Sequence, residues 1–209
     1  MPCTELALLP LTTPLSPHLI PKLQIAKHVL ETAAGYPCYF YQQVENPSYI
    51  YIVGTWDSPQ HHERFIPSVQ NLGRGIRMWH LQCDALLSLR LGIDKEPEEA
   101  DSKKKSPFSA PIISCTRYFI TSSNKEGFRE KFDSVKHVLA DEVREYEIEG
   151  GWRIEKEAED KEEWVMFCGW KSVERHLGFG KKEGFREWRG IVDWVDGFEV
   201  RHLRRIEGL

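Results

Sequence analysis

The stretch "GTWDSPQHHERF", residues 54–65, returns 114 residues later as "CGWKSVERHLGF", residues 168–179. Aligned on the tryptophans both read WxSxxxHxxF, so Trp56, Ser58, His62 and Phe65 answer to Trp170, Ser172, His176 and Phe179. The match extends along the chain. Leu19, Leu23, Ala26 and Leu30 recur 109 residues on as Phe128, Phe132, Val135 and Leu139, and "MWHLQ" at 78–82 answers "VRHLR" at 200–204 after 122 residues. An offset that climbs from 109 to 114 to 122 while the order is kept marks a duplicated module with small insertions. Such a repeat restricts the fold to one that two similar halves can build.

Each half reads in the same order. A short apolar strand ("ELALLPL", 5–11; "PIISCTRYFI", 111–120) precedes a helix whose apolar residues fall at spacings of four and three. A pair of aromatic and β-branched runs follows: "CYFYQQVE" then "SYIYIVGTW", and "GGWRIEKEA" then "EWVMFCGW". The WxSxxxHxxF segment and a last strand close the module. The order strand, helix, strand, strand, helix, strand predicts an α+β chain of two ferredoxin-like βαββαβ modules, residues 1–93 and 108–209. The charged "DKEPEEADSKKKSP", 94–107, is the linker. A ferredoxin-like sheet carries both helices on one face, so the two bare faces are expected to cover each other in an intramolecular dimeric α+β barrel.

Within the repeated segment Ser58, followed by Pro59, is a helix start, and Ser172 opens the second helix without the proline. Capping accounts for both serines. Counted from the caps, His62 and His176 share the apolar face with Phe65 and Phe179 and point toward the sheet. Two readings of these imidazoles stand: a buried neutral histidine satisfied by a backbone carbonyl, or a general base in a pocket between sheet and helices. Trp56 and Trp170 end the third strand of each module and are core or pocket wall. The second module has more aromatic residues near its histidine, among them Trp164, Phe185 and Trp188, and an insertion with Gly178, Gly180 and Gly184. His176 is therefore the favoured catalytic residue and His62 its framework counterpart. His80 and His202 share a place in the last strands, where alternation alone leaves their side undecided.

A net charge of −4 offers no field for a polyanion, and no third-strand signature of an RNA-recognition module is present, so nucleic acid is not an expected partner. "HHE" at 61–63 lacks HExxH spacing and no metal site is expected. Five cysteines without a CxxC pair suit a reducing compartment, and no run is long enough for a membrane span, which points to a cytoplasmic protein.

The strand ending in Trp, the WxS helix start, "GGWRIEKE", "CGWKSVERHLGF" and "VRHLRR" resemble the antibiotic biosynthesis monooxygenase domain of the dimeric α+β barrel superfamily, in the tandem form of fungal proteins. The resemblance spans nearly the whole chain. It implies a cofactor-independent monooxygenase, or a related cyclase, of aromatic polyketide-like secondary metabolites. His176 and His62 would be the bases, and Trp56, Trp170, Phe65, Phe179, Trp164 and Trp188 would contact a small hydrophobic or aromatic ligand. The alternative is a small-molecule-binding or stress-related barrel without turnover. Haem-degrading members carry a further histidine near the end of the helix that follows the Trp, which neither "SVQNLGRG" (68–75) nor "FREWRGIV" (185–192) contains. No cofactor is expected, and a fused barrel would be a monomer or a weak homodimer.

Overall fold

The computed structural model describes residues 1–66, 75–82 and 104–209. Most of the sequence-assigned linker, residues 94–103, and nearly all of "SVQNLGRG" lie outside the described residues. The described chain is α+β, with eight strands and five α-helices. It divides into two compact units, Met1–Lys95 with Leu203–Leu209, and Glu96–His202.

The first unit runs β1 (Cys3–Pro10), α1 (Ile20–Ala34), β2 (Cys38–Gln43), β3 (Tyr49–Trp56), α2 (Pro59–Phe65) and β4 (Arg77–Gln82). Its strands lie in the order β4-β1-β3-β2, all antiparallel. Leu203–Arg205 add to the outer side of β2. Helix α1 ends where Gly35 turns left-handed at φ 76° and its N–H reaches the Glu31 carbonyl at 2.9 Å, a conformation that costs glycine nothing. Leu23 from α1 packs on Ala7, Phe40, Ile50 and Ile52 of the sheet and on Ile206 from the end of the chain. Fully burying such a side chain contributes roughly 1.5–3 kcal/mol.

The second unit runs β5 (Ile112–Thr121), α3 (Lys125–Glu142), β6 (Ile148–Arg153), β7 (Lys161–Trp170), α4 (Val173–Phe179), α5 (Phe185–Arg189) and β8 (Gly197–Arg205), whose last three residues belong to the first unit. Here β7 pairs antiparallel with β5 and β6, and β8 lies beside β5. Among the described residues the order of elements repeats that of the first unit, with a further short helix, α5, after α4. Gly180 and Gly184 separate α4 from α5, and a 3-10 turn, Gly190–Trp194, leads on to β8. Phe128, Val135 and Leu139 are the buried stripe of α3. Strands β5 and β7 are buried on both faces, Ile113, Cys115, Val165 and Phe167 on one and Ser114, Met166 and Trp170 on the other. On the first of these faces Arg117 holds Glu163 at 2.5 Å, and Arg153 reaches the other oxygen of Glu163 at 3.0 Å. The two buried charges are thereby paired and hydrogen-bonded rather than isolated.

Candidate active site

In the first unit the chain leaves β3 at Trp56 and caps α2 with Ser58, whose hydroxyl accepts the His61 N–H at 3.1 Å. One turn of helix then carries His62 back over Trp56, where the two rings stack at 4.3 Å between centroids and 14° between planes. His62 Nδ1 lies 2.9 Å from His80 Nε2 on β4. Strand β1 sets Glu5 opposite both Gly54 and His80. The Trp56 indole N–H donates to Glu5 Oε2 at 2.6 Å, and His62 Nε2 stands 3.7 Å from the same oxygen. All four side chains are buried. Burial pushes the Glu5 carboxyl up from 4.5 to about 7, opposed by the indole hydrogen bond and by His80.

The second unit repeats this frame with one exchange. Ser172 caps α4 by accepting the Arg175 N–H at 3.3 Å. His176 lies over Trp170 at 4.6 Å, and its Nδ1 is 2.7 Å from His202 Nε2 on β8. Ser114 pairs with Cys168 across β5 and β7 as Glu5 pairs with Gly54 across β1 and β3. Its hydroxyl accepts the Trp170 indole N–H at 2.9 Å. Serine therefore stands where the first unit has a carboxyl group.

A cavity of about 390 Å³ opens beside this second cluster, between the sheet and α3, α4 and α5. Its lining is mainly apolar and aromatic, with Trp170, Phe179, Phe185 and Trp188 as walls and His176, Ser114, Thr116, Tyr118 and Arg189 as the polar groups. That composition suits a small aromatic ligand. The Tyr118 hydroxyl is held protonated far above its usual range, because burial disfavours the phenolate and Cys168 adds to the effect. Among these cavity groups the imidazole is the side chain whose ordinary range suits proton transfer near neutral pH.

Of the residues expected from the sequence, His176, Trp170, Phe179 and Trp188 come together on this cavity. Trp164 stands apart, further along β7, against Trp152 and Phe132 at centroid distances of 5.2 and 5.8 Å. His62, Trp56 and Phe65 form a packed aromatic group in the first unit, Trp56 and Phe65 at 5.4 Å. Each helix histidine meets a strand histidine through its Nδ1, His62 with His80 and His176 with His202. Sequence reasoning missed Glu5 and Ser114. The signal was present as a charged residue inside an apolar strand, 109 residues before a serine, the same offset that relates the first helices.

Among the described residues no group of three or more His, Cys, Asp or Glu is arranged to hold a metal ion. No described helix is long and apolar enough to cross a membrane.

No family model matches the sequence. No curated protein matches it either. Solved structures do. An anthrone oxidase-like protein is 12% identical, with a TM-score of 0.61 over 99% of this chain and 92% of that one. A candidate monooxygenase of Lactobacillus acidophilus NCFM is 11% identical, with a TM-score of 0.58 over 98% of this chain and 93% of that one. A chlorite dismutase variant of Candidatus Nitrospira defluvii is 8% identical, with a TM-score of 0.54 over 98% of this chain and 90% of that one. At such identities the likeness is one of fold, and proteins named for different reactions share it. The chain is thus similar in fold to proteins named as monooxygenases and to an anthrone oxidase-like protein.

Proposed function

We propose that the chain is a cofactor-independent monooxygenase of an aromatic, polyketide-like molecule, with two ferredoxin-like modules of which the second binds substrate and His176 is the base. The observation that carries this reading is the aromatic cavity of about 390 Å³ with an imidazole on its wall. The names of the fold neighbours support it. An anthrone illustrates the chemistry. His176 takes a proton from the ring methylene, leaving an anion delocalised onto the ring oxygen. That anion gives one electron to O₂, and the resulting radical pair closes a C–O bond as a peroxide, which takes back a proton. Loss of water with the second methylene proton leaves a carbonyl, so the methylene and O₂ become C=O and H₂O. His202, against Nδ1 of His176, fixes the ring so that its other nitrogen can serve. The apolar walls keep water from the anion.

Oxygen consumption with anthrone, followed in an electrode cell together with quinone absorbance, tests the reading. The expected result is enzyme-dependent uptake with one O₂ per quinone, lost by roughly a hundredfold or more in His176→Gln, the usual scale of a general base. His62→Gln is expected to spare the rate per folded molecule and to lower thermal stability. Tight binding of anthrone without oxygen uptake would establish a carrier instead, and undiminished turnover in His176→Gln would remove the histidine from the chemistry.

A further inference from the structure

The two modules keep the same tryptophan, helix histidine and strand histidine, and they differ at the strand residue facing them. In the first, the Glu5 carboxyl group fills the place between the Trp56 indole N–H, 2.6 Å away, and His62 Nε2, 3.7 Å away. In the second, Ser114 takes the Trp170 indole N–H and is itself part of the cavity wall with His176. Burial follows the exchange. His62 is 2% exposed, whereas His176 is only partly buried.

We propose that Glu5 is a built-in occupant of the first module's site, and that Ser114 leaves the matching space in the second module for an acidic oxygen carried by the ligand. This deepens the reading of the second cavity as the substrate site and rests on it. An ionisable hydroxyl or a carboxyl on an aromatic frame has the chemistry of the Glu5 side chain it replaces. Its oxygen would sit against the His176 ring, and the Ser114 hydroxyl, already an acceptor for Trp170, can donate to it. Selectivity would follow from leaving the Ser114 hydroxyl proton unmatched when the ligand lacks the oxygen. The identity of one β-strand residue would then decide which module binds.

The test uses the full chain and two probes of one shape, naphthol and naphthalene, with sites counted by equilibrium dialysis. The wild type is expected to bind one naphthol per chain, about tenfold tighter than naphthalene, as a matched hydrogen bond inside a cavity demands. Ser114→Glu should weaken naphthol by at least about tenfold, since it rebuilds the first module's arrangement. Should the added carboxylate prevent folding, Ser114→Gln fills the same space without charge. A Ser114→Glu or Ser114→Gln protein with wild-type affinity overturns the proposal. Equal affinities for naphthol and naphthalene overturn it too while the aromatic cavity stands. A wild type that binds neither probe brings down the cavity reading together with this one.

Discussion

Glu5 is buried in a largely apolar strand, and that burial makes it hold a proton that an ordinary glutamate would release. Its folded value of about 7 lies above the ordinary 4.5. The stability it contributes is therefore present in full below pH 4.5 and is lost as pH rises through 7. At about 1.4 kcal/mol per pKa unit the whole swing is on the order of 3 kcal/mol. Urea unfolding of the wild type and of Glu5→Gln at pH 5 and pH 8 measures it. The wild type should lose stability relative to Glu5→Gln on going to the higher pH, and parallel behaviour of the two proteins would show that Glu5 ionises freely. At this scale the sequence was only half legible. The WxSxxxHxxF spacing located His62 and His176 and put them on the sheet side of their helices. It could not show which way His80 and His202 face, because period-two alternation defines two faces without saying which one is covered. Only the pairing of β4 with β1, which sets His80 opposite Glu5, decides it in the first unit.

The wall of the cavity is held by a contact between elements. Gly127 lies in the first turn of α3, and the Trp194 ring rests on it so closely that any Cβ there would overlap the ring. Trp194 ends the 3-10 turn whose Ile191 and Val192 line the cavity. Gly127→Ala must therefore push the ring away, an overpacking that costs about 1–3 kcal/mol. The melting temperature and the affinity for naphthol should both fall. Gly178→Ala is the control, because a Cβ there meets no atom within 4 Å and alanine is the better helix former by about 0.5–1 kcal/mol. An unchanged melting temperature in Gly127→Ala would show that the ring moves at no cost. Elements as such were well legible. Collinear offsets, the Ser caps and the aromatic strands located all eight strands and the first helix of each half, though "GGWRIEKEA" (150–158) runs five residues past the end of β6 at Arg153. The break between α4 and α5 was visible as three glycines, but their spacing alone does not say whether a helix bends, stops or restarts.

At the scale of the molecule, the units are not the two halves of the sequence. The first takes Leu203–Leu209 from the far end of the chain, with Ile206 in its core and Leu203 paired to Gln43. A fragment of residues 1–94 lacks both, and a small domain missing part of its core has little stability to spare. Circular dichroism should show that fragment without a cooperative melt, and mixing it with residues 107–209 should restore one. A cooperative, monomeric 1–94 fragment would contradict this. The repeat led to the expectation of halves that cover each other's bare faces, but it could not reveal this exchange, because the pairing of β2 with Leu203–Arg205 is long-range. The same feature orders events in time. During synthesis Lys95 emerges about a hundred residues before Leu203, which at ribosomal speeds of about 5–20 residues per second is a delay of roughly 5–20 seconds. The module made first is the module finished last. Through that interval its β2 edge and the apolar surface that Ile206 will cover are open to other chains, so the nascent protein has its greatest need of a chaperone while most of its first domain is already made.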